Sequence, residues 1–238
     1  MRKQMVALLA GAMLMMATSA MAIPMLDFGL NAPTSGSISY AGGAAPLVGT
    51  NINVDTVIGM DTGLNDFALF NILFGTLNFT TGSVISSDAT SVSFGAAPSG
   101  SIALTGTVDV NGNGIVDAGD ISGTLLSGNF GGVSITTNSG QFRLAGAAFA
   151  DIQNSALSTL YGLQVLGDNG NPAIYDGTFN LSFFTSNDNN LSDGFSSSRL
   201  LSGDLTNAVV PEPGTMMLFG MGMLGLAVYG KRRMNKEA

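Results

Sequence analysis

Five oxygen-bearing side chains recur through the stretch Asp109-Val110-Asn111-Gly112-Asn113-Gly114-Ile115-Val116-Asp117-Ala118-Gly119-Asp120. They stand at loop positions 1, 3, 5, 9 and 12, with Gly114 at position 6 and the apolar Val116 at position 8. Calcium is a hard cation that takes oxygen ligands, and an alternating loop turns every second side chain inward. Asp109, Asn111 and Asn113 would then ligate through their side chains and Ile115 through its carbonyl. Asp117 would act directly or through water, and Asp120 would close the site. The same residues also suit a plain hairpin turn. Asn111-Gly112 and Asn113-Gly114 are both favoured turn dipeptides, and Asp is common in turns for reasons unrelated to metal.

The spacing resembles the calcium loop of EF-hand and dockerin modules. Two departures matter. Position 12 is Asp rather than Glu, which matches dockerins but shortens the reach. The flanks are not helical. Ile102 to Val110 puts Ile102, Leu104, Val108 and Val110 on one face at period 2, and Ile121-Ser122-Gly123-Thr124 starts no helix. A calcium loop here would join two strands.

The surrounding chain carries the same alternation. Val133-Ser134-Ile135, Gln141 to Leu144 and Thr178 to Phe183 repeat it, and Leu77-Asn78-Phe79 and Val92-Ser93-Phe94 are shorter examples. Short alternating runs separated by Gly, Ser, Thr and Asn read as strands joined by turns. The expected fold is mainly β, an antiparallel β-sandwich or β-roll with one short helix. That helix is expected over Asp151 to Leu163, with Ile152, Ala156, Leu160 and Leu163 on one face and Asp151 as its cap. Phe67 to Phe74 is a continuous apolar run that suits either a buried strand or a short helix. The segments 168–171 and 187–190 read as exposed turns.

Charge and composition exclude much. The chain has 16 acidic residues; Glu212 and Glu237 lie in the tail, so 14 remain between them and the N-terminal segment, all Asp. Of its 8 basic residues, Arg2, Lys3, Lys231, Arg232, Arg233 and Lys236 are terminal, so Arg143 and Arg199 remain. The central region is therefore 2 minus 14, or −12. Such a surface repels nucleic acid and anionic headgroups. His, Cys and Trp are absent from the whole chain, and the central region has no Lys or Glu. A Ser-His-Asp triad, a Cys nucleophile, a Schiff-base Lys and a His-based zinc site are impossible. An Asp-based hydrolase is the main enzymatic option left, and the expectation is that the protein is not an enzyme. Asp61 with Asp66, and Asp188 with Asp193, are the pairs such chemistry would draw on.

Both ends carry transport signals. Arg2 and Lys3 precede an apolar run from Val6 to Ala17, and Ala20-Met21-Ala22 is a small-x-small cleavage site, so residues 1–22 read as a signal peptide. At the other end, Pro211-Glu212-Pro213 is followed by an uncharged run from Thr215 to Tyr229 and then Lys231-Arg232-Arg233. As a helix that run covers about 22 Å, short against a hydrocarbon core of roughly 30 Å. The basic cluster suits a cytoplasmic end.

Together these three parts resemble the PEP-CTERM sorting signal of proteins exported by Gram-negative bacteria. The resemblance implies an ectodomain over 23–208 and a sorting signal over 209–238, with a transmembrane segment at 214–230 and a basic tail at 231–238. It implies an exosortase-type membrane protease that cuts near Pro211-Glu212-Pro213, with signal peptidase and the secretion machinery acting before it. The destination implied is the cell surface, outer envelope or extracellular matrix, often in bacteria that make exopolysaccharide. Three roles are open for the ectodomain: a structural or interaction protein, a carbohydrate-binding module or adhesin, and an Asp-based hydrolase.

Overall fold

The computed structural model describes residues 23–97, 101–138, 141–164, 173–185 and 191–210. The signal peptide, the turns at 168–171 and 187–190, and the segment after Val210 lie outside them.

Alternation builds the strands. In β11 (Tyr175–Phe184) Tyr175, Gly177, Phe179, Leu181 and Phe183 are buried, while Asp176, Thr178, Asn180 and Ser182 face outward. In β1 (Met25–Leu30) Leu26, Phe28 and Leu30 point inward. The remaining strands are β2 (Ser37–Tyr40), β3 (Leu47–Asn53), β4 (Thr56–Met60), β5 (Leu69–Thr80), β6 (Val84–Ser87), β7 (Ser91–Phe94), β8 (Ile102–Asp109), β9 (Ile121–Asn138), β10 (Gln141–Gln153), β12 (Phe195–Ser197) and β13 (Arg199–Val209). All ladders between them are antiparallel.

The antiparallel β architecture expected from alternation is thus present, and its pairing path closes. β5 pairs with β4, β4 with β1, β1 with β13, β13 with β11 and β11 with β10. Then β10 pairs with β9, β9 with β8, and β8 with β5 again. Closure leaves no open edge along this ring, the usual hazard of an isolated sheet. β3 and β4 pair in turn along one side of β5, with Val54 and Asp55 between them, and Phe74 falls at the register shift between β5 and β8 on its other side.

The ring is filled rather than hollow. Phe79 on β5 and Phe179 on β11 lie halfway round the ring from each other, yet their centroids are 5.5 Å apart. Phe79 also meets Phe130 at 5.2 Å, and Tyr40 meets Phe94 edge-on at 5.1 Å. Opposite walls therefore share one aromatic core. The outward positions are mostly Ser, Thr, Asn and Asp. A lipid-facing barrel needs the opposite arrangement, so the outer wall is built for water. Among the described residues no helix is long and apolar enough to cross a membrane.

Antiparallel pairing defines two ends of the ring. One end gathers the starts of β1, β5, β9 and β11 and the finishes of β4, β8, β10 and β13. It carries the loops 61–68 and 110–120 and helix α1 (Ser155–Leu160). Ile23 and Val210 lie at this end too.

The helix departs from expectation. Residues 151–153 complete β10, and the cap is Asn154, whose side chain accepts from Ala156 N and Leu157 N. Leu157, Ser158 and Tyr161 are buried, whereas Ile152 and Ala156 are exposed. The period-2 alternation Asp151-Ile152-Gln153 continues the ladder to β9 and β11, and long-range pairing overrides the weak helical pattern there. The Phe67–Phe74 run also divides. Strand β5 begins at Leu69 and Ile72 is buried, but Phe67 and Phe74 are exposed at φ of 56° and 55°.

Candidate functional site

The acidic loop hangs between β8 and β9. Val108 pairs with Ile121, and Asp109 pairs with Asn71 on β5. Asp109 is buried at the loop's base. Its Oδ1 accepts from Gly112 N at 2.8 Å and Asn113 N at 3.1 Å, and its Oδ2 from Gly114 N at 2.7 Å. Asn111 Oδ1 accepts from Asn113 N, and Asn113 Oδ1 from Ile115 N. Asp120 ties the far end by accepting from Val110 N and Asp117 N. Gly112 and Gly114 have φ of 72° and 74°, with open space where a Cβ would sit. Glycine is needed there for the backbone and not for room.

Asp117 sits on the exposed side. Its Oδ1 accepts from Gly119 N, and its Oδ2 from the amide nitrogens of Asn111 at 2.9 Å and Asn113 at 2.7 Å. The Gly119 N–H, then the two amides, hold its carboxyl below the usual range. The loop thus brings Asp109, Asn111, Asn113, Asp117 and Asp120 into one hydrogen-bonded unit, with Ile115 exposed at its tip. In type and order these donors fit a hard cation. In arrangement the loop is closed by its own hydrogen bonds, and among the described residues no three carboxylates stand together as a metal cluster. For calcium to enter, Asn111 and Asn113 would turn from donating to Asp117 and present oxygen instead.

Of the other candidate carboxylates, Asp61 opens the loop 61–68 at φ of 55°, and Asp193 ends the short 3-10 turn Leu191–Asp193. Asp66 Oδ1 accepts from Thr62 N within the loop 61–68. Asp188 lies outside the described residues. On the strand faces, Asn78 Oδ1 accepts from Asn51 N, and Asn180 Nδ2 donates to Asp204.

Sequence reasoning missed a buried polar chain at the termini end. Asp151 Oδ1 accepts from Asn207 Nδ2 at 2.6 Å, and Gln153 Nε2 donates to Asn207 Oδ1 at 2.7 Å. Ser158 donates to Gln153 and meets the Tyr175 hydroxyl, which in turn donates to Gln164 O. Asp151 Oδ2 has no partner. Burial, with a smaller push from Asp176 and against the Asn207 hydrogen bond, raises the Asp151 carboxyl to about 7. The available signal was the alternation of Asp151 and Gln153 with outward Ile152.

On the outer wall, Arg143, Asn180, Ser182, Ser202 and Asp204 line a groove of about 320 Å³ across β10, β11 and β13.

Strand β13 ends at Val209, and the Pro-Glu-Pro begins two residues later. Residues 209–233 match the family model of the PEP-CTERM protein-sorting motif. The chain carries a PEP-CTERM sorting signal. This signal implies export to the cell envelope of a Gram-negative bacterium and handling by an exosortase, which is a membrane protein. No curated protein and no solved structure matches the chain.

Proposed function

We propose that the closed β-ring is a structural or interaction module of the cell surface or extracellular matrix, delivered by the sorting signal and released from its tail by exosortase. The observation that carries this reading is the motif at residues 209–233, which starts at the last residue of β13. The lack of His, Cys and central Lys supports a non-enzymatic role. Intact-mass measurement on the envelope and secreted forms from the native host tests it. The expected mature protein lacks residues 1–22 and the segment after Pro213. Recovery of Lys236 in the secreted form would overturn processing.

Calcium at Asp109 to Asp120 is the finer part of the proposal. The ordered oxygen donors support it, and binding at roughly 0.1–1 mM is expected for an extracellular site.

A second reading, a carbohydrate-binding module or adhesin for exopolysaccharide, rests on the outer groove. Arg143, Asn180, Ser182, Ser202 and Asp204 offer donors and acceptors to sugar hydroxyls from three adjacent strands. Retention on immobilised polysaccharide, lost in Asn180→Ala, would favour it over a purely structural role.

A further inference from the structure

The exposed apolar side chains are not spread evenly. Ile23, Leu64, Phe67, Leu69, Ile115, Val116, Ile152 and Ile174 are all exposed and all lie at the termini end. Among the described residues only Phe74, on the side of the ring, and Ile85, at the opposite end, are large exposed apolar residues elsewhere. Scattered single cases would need no explanation. A cluster at one end of an otherwise polar ring marks a contact surface.

The centre of this surface is held in place. Leu64 N donates to Tyr161 O at 3.0 Å, and Phe67 N to Gly59 O at 2.9 Å. Asn65 Nδ2 donates to Leu160 O at 2.8 Å, and Thr62 Oγ1 to Leu64 O at 3.0 Å. The loop is thus tied to β4 and to the end of α1. Asn65 and Phe67 are both in the left-handed region, at φ of 50° and 56°. A bulky residue takes that conformation at a cost, and such strain persists only where the surroundings impose it. The result of the strain here is that Phe67 stands outward, 65% exposed, beside Leu64 and Leu69.

The chain's own course says what lies against this end. Val209 leaves the ring there, and the uncharged run begins at Thr215. Six residue steps reach at most about 21 Å. While the tail is in the membrane, this end cannot stand far from the bilayer surface. We propose that the rim of Leu64, Phe67, Leu69 and Ile115 rests in the interfacial layer of the bilayer before the tail is cut. It orients the ring so that Pro211-Glu212-Pro213 is presented at the membrane surface. Asp61, Asp66, Asp117 and Asp120 share this end, so the surface it suits is zwitterionic rather than anionic. This inference rests on the tail being membrane-embedded before processing.

The chain has no cysteine, so single introduced thiols report one site each. Full-length Phe67→Cys and Ile85→Cys, each carrying the same environment-sensitive fluorophore, are reconstituted into phosphatidylcholine vesicles with spin-labelled lipid. Both positions are exposed and apolar, so the label is matched. Flotation comes first and reports the tail. The expected result is that both variants float, that emission from position 67 shifts to the blue and is largely quenched, and that emission from position 85 stays water-like. Adding Leu64→Ser and Leu69→Ser should reduce the quenching at 67 while flotation persists. Floating protein with equal, water-like emission from both positions would overturn the rim while leaving the tail intact. Protein that does not float would overturn both.

Discussion

Asp151→Asn should make the protein more stable at alkaline pH and change little at acid pH. The carboxyl is buried, one oxygen has no partner, and its folded value is about 7 against an ordinary 3.8. Below pH 3.8 both folded and unfolded states hold the proton. Between 3.8 and 7 the unfolded chain releases it and the folded chain keeps it, so stability falls by about 1.4 kcal/mol per pH unit. Above 7 both states are ionised and the loss levels off. Over the whole window the wild type loses at most about 4 kcal/mol through this group. Asparagine has the shape of the protonated acid and does not titrate, and its oxygen can still accept from Asn207. The variant should therefore match the wild type near pH 3 and exceed it at pH 8. For a domain of this size each kcal/mol moves the melting point by about 2–4 °C, so the gain at pH 8 is at most about 16 °C. Asp27, which burial and Asp204 also raise, titrates in both proteins and cancels in the difference. The assay is thermal unfolding of both full-length proteins in detergent from pH 3 to 8. A difference independent of pH, or a variant less stable at pH 8, would refute the burial argument.

Three further outcomes follow from particular contacts. Asp109→Ala should cost about 1–3 kcal/mol without any metal, because three backbone N–H groups lose their acceptor; denaturant melts measure this. Millimolar calcium should raise the wild-type melting point by a few degrees beyond a sodium chloride control at matched ionic strength, and Asp109→Ala should abolish that gain. Gly177→Ala should destabilise by about 1–3 kcal/mol, since a Cβ there would overlap the Phe149 ring across the β10–β11 ladder. An unchanged melting point would place Phe149 elsewhere.

Local chemistry was legible from the amino acids alone. Thr178 to Phe183 alternates because one face of its strand is wet and the other dry, and that pattern survives in β11 residue by residue. The turn chemistry of Asp109 to Asp120 is equally local: nearly all its hydrogen bonds join residues within the loop, so spacing was enough to find it. The sorting motif is read as a linear string, and its three parts needed no fold to be recognised. Three features needed the tertiary structure. Closure of the ring depends on β1 meeting β13 across nearly the whole chain, and on the summed twist and register of the strands between them. Asp151 looked like a helix cap until β9 and β11 claimed its neighbours for their ladders, which turned its carboxylate into the core. Phe67 looked like the start of a continuous apolar run, strand or short helix, until the loop 61–68 was tied to Gly59 and Tyr161, which turned it outward. In each case the deciding partner lies far away in the chain, and no local pattern of side chains encodes where a distant strand or loop will dock.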